Sequence, residues 1–242
     1  MHTPVPHVLP AEMLLLAYRS GVFPMADGRE DEDLFWVEPR ERAIIPLEEF
    51  RLSRSLAKVV RQDRFTVTCN RDFAGVIEAC SQPRPDHPET WISTRIEESY
   101  RALHRAGHAH SIECWQDGAL VGGLYGVSFD RVFCGESMFS RVRDASKVAL
   151  AWLVALMRRA GYGLLDCQFM TGHLASMGAV EISREDYRSL LAWFCADRVQ
   201  ASLPAAWKAL CEEAQPAAGE SGAGESASSP GKLIAQSLTQ TS

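Results

Sequence analysis

The sequence has no apolar run long enough to cross a bilayer. Its longest such run, residues 148–157, falls well short of the roughly 20 residues that a membrane-spanning helix needs. A short apolar stretch at residues 13–17 follows Glu12 and has no basic residues ahead of it, which does not fit a secretory signal peptide. We therefore expect a soluble protein of the cytoplasm.

The seven cysteines include no Cys-x-x-Cys pair, and an odd number cannot all be paired within one chain. Most of them lie in apolar stretches, which favours reduced, buried thiols over disulfides. His108 and His110 have no third or fourth metal ligand nearby in the sequence, so zinc is not indicated. We predict no metal.

The net charge and the length place only loose limits on the possible partners and on the number of domains. A net charge of −6 argues weakly against a nucleic-acid partner, although the local distribution of charge matters more than the sum. The 242 residues suffice for one large domain, or for a small domain plus a medium one.

Helical and strand patterns together predict an α+β fold. Asp117-Gly118 predicts a hairpin turn, so the central strands are expected to form an antiparallel meander. Pro39 and Pro46 suggest a small N-terminal domain at residues 1–46, followed by a larger domain at 47–213. The remainder, 214–242, is expected to be disordered because much of it is rich in Ala, Gly and Ser. Helices are predicted at 11–20, 47–64, 73–81, 94–106, 145–160 and 185–194, and strands at 67–69, 111–116, 119–128, 131–134 and 164–168.

Two carboxylates stand in apolar surroundings, Glu136 between Gly135 and Ser137, and Asp166 near the end of a predicted strand. Placing a charge there costs free energy unless it is paired or used. Side chains two apart on a strand share a face, so Asp166 and Gln168 are expected to reach the same site. The pattern indicates an apolar pocket with a few polar groups, the usual form of a small-ligand site.

A basic stripe is predicted on the helix at 47–64. Arg51, Arg54, Lys58 and Arg61 recur every three or four residues, which places them on one helix face, and no acidic residue lies between 51 and 61. One interpretation is an ordinary solvated face. The other is contact with a phosphate backbone, where counterion release provides affinity independent of base sequence.

The sequence resembles the leucyl/phenylalanyl-tRNA–protein transferases over roughly residues 11–200. The matching segments are long and follow the order in that family. They are YRSGVFP at 18–24, SRSL at 53–56, Trp91-Ile92, AHS at 109–111, LVGGLYG at 120–126, GESMFS at 135–140, ASK at 145–147, LDCQ at 165–168 and His173-Leu174.

The resemblance implies a larger domain related to the N-acetyltransferase fold, and roles for several residues. Leu124, Phe133, Leu153 and Leu165, which otherwise read as ordinary core, would line a pocket for the side chain of the transferred amino acid. Trp36 and Trp91 would contact the terminal adenosine of tRNA, and the basic stripe would contact tRNA phosphates. The link at 140–147 lacks the glycines that bind coenzyme A in acetyltransferases, so no coenzyme A and no other cofactor is expected.

The implied activity is transfer of Leu, Phe or, less readily, Met from aminoacyl-tRNA to the N-terminal Arg or Lys of a protein, which marks that protein for degradation by the N-end rule. Glu136 would hold a positively charged amino group, or would serve only in a structural ion pair. Asp166 would act as a base or would only position the attacking amine, and Gln168 would orient a carbonyl or backbone group. Two other functions remain open, a non-catalytic reader of basic N-termini or tRNA and a related acyltransferase with another acceptor.

Overall fold

Antiparallel strands occupy the centre of the chain, and helices precede and follow them, which confirms the α+β class. The computed structural model describes residues 8–83, 89–214 and 228–239. Its strands are β1 (Phe23–Met25), β2 (Phe35–Val37), β3 (Glu41–Ile45), β4 (Thr66–Cys69), β5 (Ala109–Gln116), β6 (Ala119–Phe129), β7 (Val132–Ser140), β8 (Leu164–Gln168) and β9 (Val180–Ser183). Its helices are α1 (Ala11–Arg19), α2 (Arg54–Arg61), α3 (Phe73–Ser81), α4 (Thr94–Arg105), α5 (Ala145–Ala160), α6 (Gly172–Ala175), α7 (Arg184–Cys195), α8 (Leu203–Glu213) and α9 (Pro230–Thr239).

Seven of the strands form one sheet in the order β4-β5-β6-β7-β8-β3-β9, and β1 pairs with β2 in a separate hairpin. The predicted meander is confirmed, since β4 to β7 pair with successive antiparallel neighbours, and Asp117-Gly118 joins β5 to β6. β7 and β8 are parallel, which requires a crossover connection, and α5 provides it. Helix α5 begins and ends where the sequence predicted, at Ala145 and Ala160.

Apolar cores lie on both faces of the sheet. On one face α5 is buried almost all round, beneath α2, α8 and α9. On the other face α3, α4, α1 and α7 pack over the aromatic and aliphatic side chains of β6 and β7. Adjacent residues of β6 therefore reach opposite cores, with Leu124 in the first and Tyr125 in the second.

The structure differs from three expectations about element bounds. β3 lies within the range expected for the small N-terminal domain, yet it pairs with β8 and β9 of the large sheet. The single helix expected at 47–64 is instead a short 3-10 turn at Leu47–Glu49 followed by α2, which begins after Ser53 caps it through the Leu56 amide. β7 continues to Ser140, so Glu136 lies within a strand rather than after one.

Most of the segment expected to be disordered, 214–242, lies outside the described residues, but the expectation is wrong for 230–239, because α9 is a packed helix. Ile234, Ala235 and Leu238 are buried in the core on the α5 side of the sheet. The N-terminus of α9 approaches α2 so closely that a Cβ on Gly231 would lie 2.0 Å from the carbonyl oxygen of Val60. The apolar spacing of Ile234, Ala235 and Leu238 was the available signal, and the preceding low-complexity stretch obscured it.

We expect Ile234→Asp to lower the free energy of unfolding by about 3 kcal/mol or more, because it places an unpaired charge in an apolar core. Gln236→Asp is the matched control, since it adds the same charge to the exposed face of the same helix. Its effect should stay within about 0.5 kcal/mol. Urea unfolding of both variants measures the difference, and equal stabilities would show that α9 is not docked.

Candidate functional site

A cavity of about 880 Å³ opens where β7 and β8 stop pairing. Their parallel register covers only Val132–Cys134 against Leu164–Asp166. Beyond this point Gly135 to Ser140 of β7 line the cavity, as do Cys167 and Gln168 of β8. The cavity therefore occupies the gap between two strands, and side chains from both faces of the sheet contribute to its walls.

One wall is aliphatic and belongs to the core on the α5 side. The structure brings Leu124, Leu153 and Leu165 together here, as the family resemblance implied, and adds Leu150 and Leu174. Phe133 is fully buried but is not among the lining residues. Its ring lies against the backbone of Gly126, where a Cβ would be 2.5 Å from a ring carbon, and it belongs to the same core as the three leucines.

The other wall is largely aromatic and belongs to the opposite core. It includes Phe23, Trp91, Tyr125 and Phe139. The structure does not bring Trp36 to this wall, because Trp36 lies on β2 with 42% of its surface exposed. Met25 of the neighbouring strand β1 lines the cavity in its place.

Glu136 lies at the polar centre of the cavity in a network of hydrogen bonds. The Tyr100 hydroxyl donates to Glu136 Oε2 at 3.1 Å, and Gln168 Nε2 donates to Oε1 at 2.9 Å. The Tyr18 hydroxyl contacts that of Tyr100 and extends the network. Within the described ranges no cation pairs with Glu136, so the structural ion pair considered for it does not form there.

Burial raises the pKa of Glu136 to about 7, although the hydrogen bonds from Tyr18, Gln168 and Tyr100 act in the opposite direction. A carboxyl group with this pKa changes its ionisation near neutral pH. It can therefore accept a hydrogen bond from an ammonium group when it is ionised, and a cation entering the cavity would favour that form.

Asp166 is fully buried, and its side chain is not part of the cavity wall. Arg42 Nε donates to Oδ1 at 2.9 Å and Nη2 donates to Oδ2 at 2.6 Å, which makes a bidentate ion pair. Tyr187 and the backbone N–H of Gln168 also donate to this carboxylate, at 2.9 and 2.8 Å. The expectation that Asp166 and Gln168 reach the same site is therefore wrong, because protein groups already fill the acceptor positions of Asp166.

The local backbone explains why the strand rule failed at this point. Gln168 has a φ of +63°, so the alternation of side chains ends at the last residue of β8. This conformation is uncommon for a residue other than glycine, and the hydrogen bond from its N–H to Asp166 stabilises it. Asp166 thus sets the orientation of Gln168, and Gln168 carries its amide to Glu136.

The sequence analysis did not identify the residues that surround Glu136, Asp166 and Gln168. Arg42, Tyr18, Tyr100 and Tyr125 were not predicted as part of the site. A signal existed for Arg42, since it directly precedes the apolar run Ala43-Ile44-Ile45, and a buried arginine needs a partner. Tyr18 and Tyr125 lie in two of the segments that match the family, but the three tyrosines follow ordinary amphipathic or apolar patterns that do not indicate a polar site.

Polar and basic groups lie at the end of the cavity near the start of α5. Ser140, Arg141, Ser146 and His173 line this end. The Ser140 hydroxyl accepts a hydrogen bond from the Ser146 N–H at 3.2 Å in the first turn of α5. Burial lowers the pKa of His173, and the charge of Lys147 lowers it further. A lowered pKa disfavours a positive charge on His173, so Arg141 is the group at this end that can attract an anion.

The basic stripe is exposed and lies near the cavity. Arg54, Lys58 and Arg61 lie on α2, while Arg51 precedes the helix and donates its N–H to the Met177 carbonyl at 3.0 Å. Met177 follows α6, whose Leu174 lines the cavity. In the part of the chain that the structure describes, no carboxylate pairs with these four cations.

The thiols show no activation. Cys167 lines the cavity, but burial raises the pKa of its thiol, so it stays protonated. Over residues 8–83, 89–214 and 228–239, no cluster of three His, Cys, Asp or Glu side chains is placed to hold a metal ion. No helix in these ranges is both long and apolar enough to cross a membrane.

The cavity has an aliphatic wall, a carboxylate and amide at its centre, and cations near one end. Such a site suits a ligand with an apolar group, a polar reacting group and an anionic extension, as a transferase of activated amino acids requires. Family models agree with this class. The model for the leucyl/phenylalanyl-tRNA protein transferase matches residues 44–192, and the model for the N-terminal domain of the same transferase matches residues 8–40. The chain belongs to this family.

Curated relatives carry the same name. A leucyl/phenylalanyl-tRNA–protein transferase of Novosphingobium aromaticivorans is 56% identical, over 98% of this chain and 98% of its own. One from Rhizorhabdus wittichii is 60% identical over 74% of this chain and 73% of its own.

Solved structures give weaker similarities. L-PGS from Bacillus licheniformis is 14% identical with a TM-score of 0.36, over 68% of this chain and 55% of its own. The C-terminal domain of a putative lysylphosphatidylglycerol synthetase from Agrobacterium fabrum is 12% identical with a TM-score of 0.37, over 87% of this chain and 72% of its own. Neither supports a conclusion about function.

The raised pKa of Glu136 predicts a stability that falls with pH. The folded state holds this proton up to about pH 7, while the unfolded chain releases it near 4.5. The contribution of protonated Glu136 to the free energy of unfolding is therefore fully present below about pH 4.5 and is lost as the pH rises to 7. Glu136→Gln lacks this titrating group. We therefore expect the difference between the free energies of unfolding, variant minus wild type, to increase by roughly 3 kcal/mol from pH 4.5 to pH 8.

Urea unfolding of both proteins across this pH range measures the change. The comparison isolates Glu136 because all other titrating groups are shared. A difference between the two proteins that stays constant with pH would show that Glu136 has an ordinary pKa.

Proposed function

We propose that this protein transfers Leu, Phe or, less readily, Met from aminoacyl-tRNA to proteins with an N-terminal Arg or Lys. The observation that carries the proposal is the cavity between β7 and β8, where an aliphatic wall meets the Glu136–Gln168 pair. Membership of the family supports the aminoacyl-tRNA donor. The reaction would take place in the cytoplasm and mark its acceptors for degradation by the N-end rule.

The reaction is aminolysis of an ester that is already activated. The α-amine of the acceptor attacks the ester carbonyl carbon, a new amide bond forms, and the bond to the tRNA 3′-terminal oxygen breaks. The amine loses a proton and the leaving oxygen gains one. An α-amine has an ordinary pKa of about 7.7–8.0, so enough of it is neutral near pH 7 for the enzyme to act mainly through proximity and orientation.

The aliphatic wall selects the side chain of the aminoacyl donor. Leu124, Leu153 and Leu165 offer no hydrogen-bonding group, so a polar side chain would lose its hydration without compensation. Unbranched or γ-branched side chains extend into such a pocket, whereas a β-branched one places its bulk near the backbone. This favours Leu, Phe and Met over Val or Ile.

The polar centre holds the reacting end of the aminoacyl donor. Glu136 accepts a hydrogen bond from an ammonium group, either that of the aminoacyl-tRNA or that of the acceptor protein. Gln168 orients the groups beside it. Asp166 is a positioning residue, because its carboxylate bonds Arg42, Tyr187 and the Gln168 backbone instead of facing the cavity. A general-base role for Asp166 would require this ion pair to open.

Trp91 and the basic stripe support tRNA binding. The Trp91 ring lines the aromatic wall, where it can stack on the terminal adenine, with Met25 nearby rather than Trp36. Arg51, Arg54, Lys58 and Arg61 form an exposed basic surface next to the segment that follows α6. Phosphates that approach this surface release counterions, which provides affinity without base recognition.

A transfer assay tests the proposed function. Labelled Leu on Leu-tRNA should move to a peptide that begins with Arg, and Val on Val-tRNA should move at least 10-fold more slowly, since the fit of one apolar side chain is worth about 1–3 kcal/mol. An N-acetylated Arg peptide is the negative control, because its α-nitrogen cannot attack.

The same assay separates the alternatives. Efficient transfer to peptides that begin with other residues would point to an acyltransferase with another acceptor. Binding of tRNA or of Arg peptides with no transfer at all would contradict the proposal and favour a non-catalytic reader.

The basic stripe predicts a salt-dependent affinity. Replacing both Arg54 and Lys58 with Ala should weaken tRNA binding and reduce the slope of log K against log salt by about 0.7–0.9 for each lost phosphate contact. A matched control replaces Arg198 and Lys208, which lie on other exposed segments and carry the same charge. Filter binding at several salt concentrations measures the slopes, and equal slopes for both double variants would assign the stripe to solvent.

A further inference from the structure

The hydroxyl of Tyr125 is buried and has no hydrogen-bond partner among the described residues. Tyr125 itself lines the aromatic wall. Buried hydroxyl groups are normally paired, because an unpaired one loses its hydration without compensation. A buried, unpaired donor at the wall of a ligand cavity indicates a ligand atom that accepts its hydrogen bond.

The surroundings of Tyr125 prevent its hydroxyl from turning away. Its backbone lies in the middle of β6 and pairs with Ser111 on one side and Ser137 on the other. Its ring makes edge contacts with Tyr100 and Phe73, each with a centroid distance of 5.8 Å. The ring is therefore fixed from both directions.

The neighbouring carboxylate is already engaged. Both oxygens of Glu136 accept hydrogen bonds, Oε1 from Gln168 and Oε2 from Tyr100. Burial raises the pKa of Tyr125, and the charge of Glu136 raises it further. Tyr125 thus keeps its proton and can donate it to an acceptor on a ligand.

We propose that the Tyr125 hydroxyl donates a hydrogen bond to an oxygen of the ester–ribose unit of the aminoacyl-tRNA 3′ end. This rests on the proposed function. The chemistry of the groups near Glu136 and Gln168 narrows the choice of acceptor, because neither the apolar side chain of the donor nor its ammonium group can accept a hydrogen bond. The ester and ribose oxygens are the remaining acceptors of the unit that must reach Glu136 and Gln168.

The position of Tyr125 fits this assignment. Leu124 and Tyr125 are adjacent on β6, yet they line opposite walls of the cavity. A donor whose side chain contacts Leu124 would pass its ester through the gap between the strands and place it toward Tyr125. A bond to the carbonyl oxygen would strengthen as negative charge develops there, whereas a bond to a ribose oxygen would act on binding alone.

Tyr125→Phe tests the proposal, because it keeps the ring and removes only the hydroxyl. The melting temperature should stay the same or rise, since no internal hydrogen bond is lost. The kcat/KM for transfer of Leu from Leu-tRNA should fall about 10–100-fold. A lower kcat at unchanged KM identifies the ester carbonyl oxygen, and a higher KM at unchanged kcat identifies a ribose oxygen.

Tyr162→Phe is the matched control. Its hydroxyl is also buried, but it contacts Ser128 Oγ at 2.7 Å and lies outside the cavity wall. This variant should lose melting temperature and keep its kcat/KM. The contrast between the two variants separates a hydroxyl that serves a ligand from one that serves the fold.

Two results would overturn the proposal. One is a lowered melting temperature of Tyr125→Phe with full activity per folded molecule, and the other is an unchanged melting temperature with unchanged kcat/KM. Calorimetric binding of 3′-leucylamido-adenosine, which cannot transfer its leucine, separates this proposal from the proposed function. Binding by wild type that Tyr125→Phe loses would support the hydroxyl contact, even if wild type failed to transfer Leu to Arg peptides.

Discussion

The buried ion pair between Arg42 and Asp166 is the constraint on which the site depends. The Arg42 guanidinium lies between the rings of Phe23 and Tyr187, at 4.8 and 4.4 Å from their centroids, and donates to the Gly21 carbonyl at 2.9 Å. It thereby joins the N-terminal hairpin, the large sheet and α7. Removing one partner of such a pair typically costs about 3–5 kcal/mol, because the other charge stays buried and unpaired. A variant of Asp166 that loses activity would therefore reveal a catalytic role only if its melting curve showed that the fold had survived.

The two carboxylates of the site differ because their partners differ. Asp166 has a cation and two further donors, so its charge is balanced inside the protein. Glu136 has only neutral donors, and burial holds its pKa near 7. The first carboxylate therefore organises the structure, while the second can change its ionisation near neutral pH. Gln168 connects them, since its backbone bonds Asp166 and its side chain bonds Glu136. A rigid ion pair thus orients a site whose own charge can still change.

The sequence predicted the parts of the fold that local pattern determines. Helices α3 and α5 were predicted with their observed bounds, because each has a clear apolar pattern and a distinct end. It did not reveal that Asp166 turns toward Arg42, since that contact joins residues 124 positions apart. Three of the four expected pocket residues line the cavity, whereas Phe133 is buried in the same core without lining the cavity. The sequence pattern also could not show that Met25, and not Trp36, lines the cavity. The pairing of β1 with β2 determines which side chains of this hairpin face inward.

Helix α9 stabilises α2, the helix that carries most of the basic stripe. α2 has eight residues and carries like charges at neighbouring positions on one face, and helices this short are marginal in water even without repulsion. Its buried face, formed by Leu56, Ala57 and Val60, packs in the same core as Ile234 and Leu238 of α9. The Gly231 N–H donates to Asp63 at 2.7 Å beside the end of α2, and Arg158 of α5 donates to carbonyls of both Leu47 and Ser237. The same core therefore holds both α9 and α2, so the position of the basic stripe on α2 depends on α9, which carries none of the stripe residues.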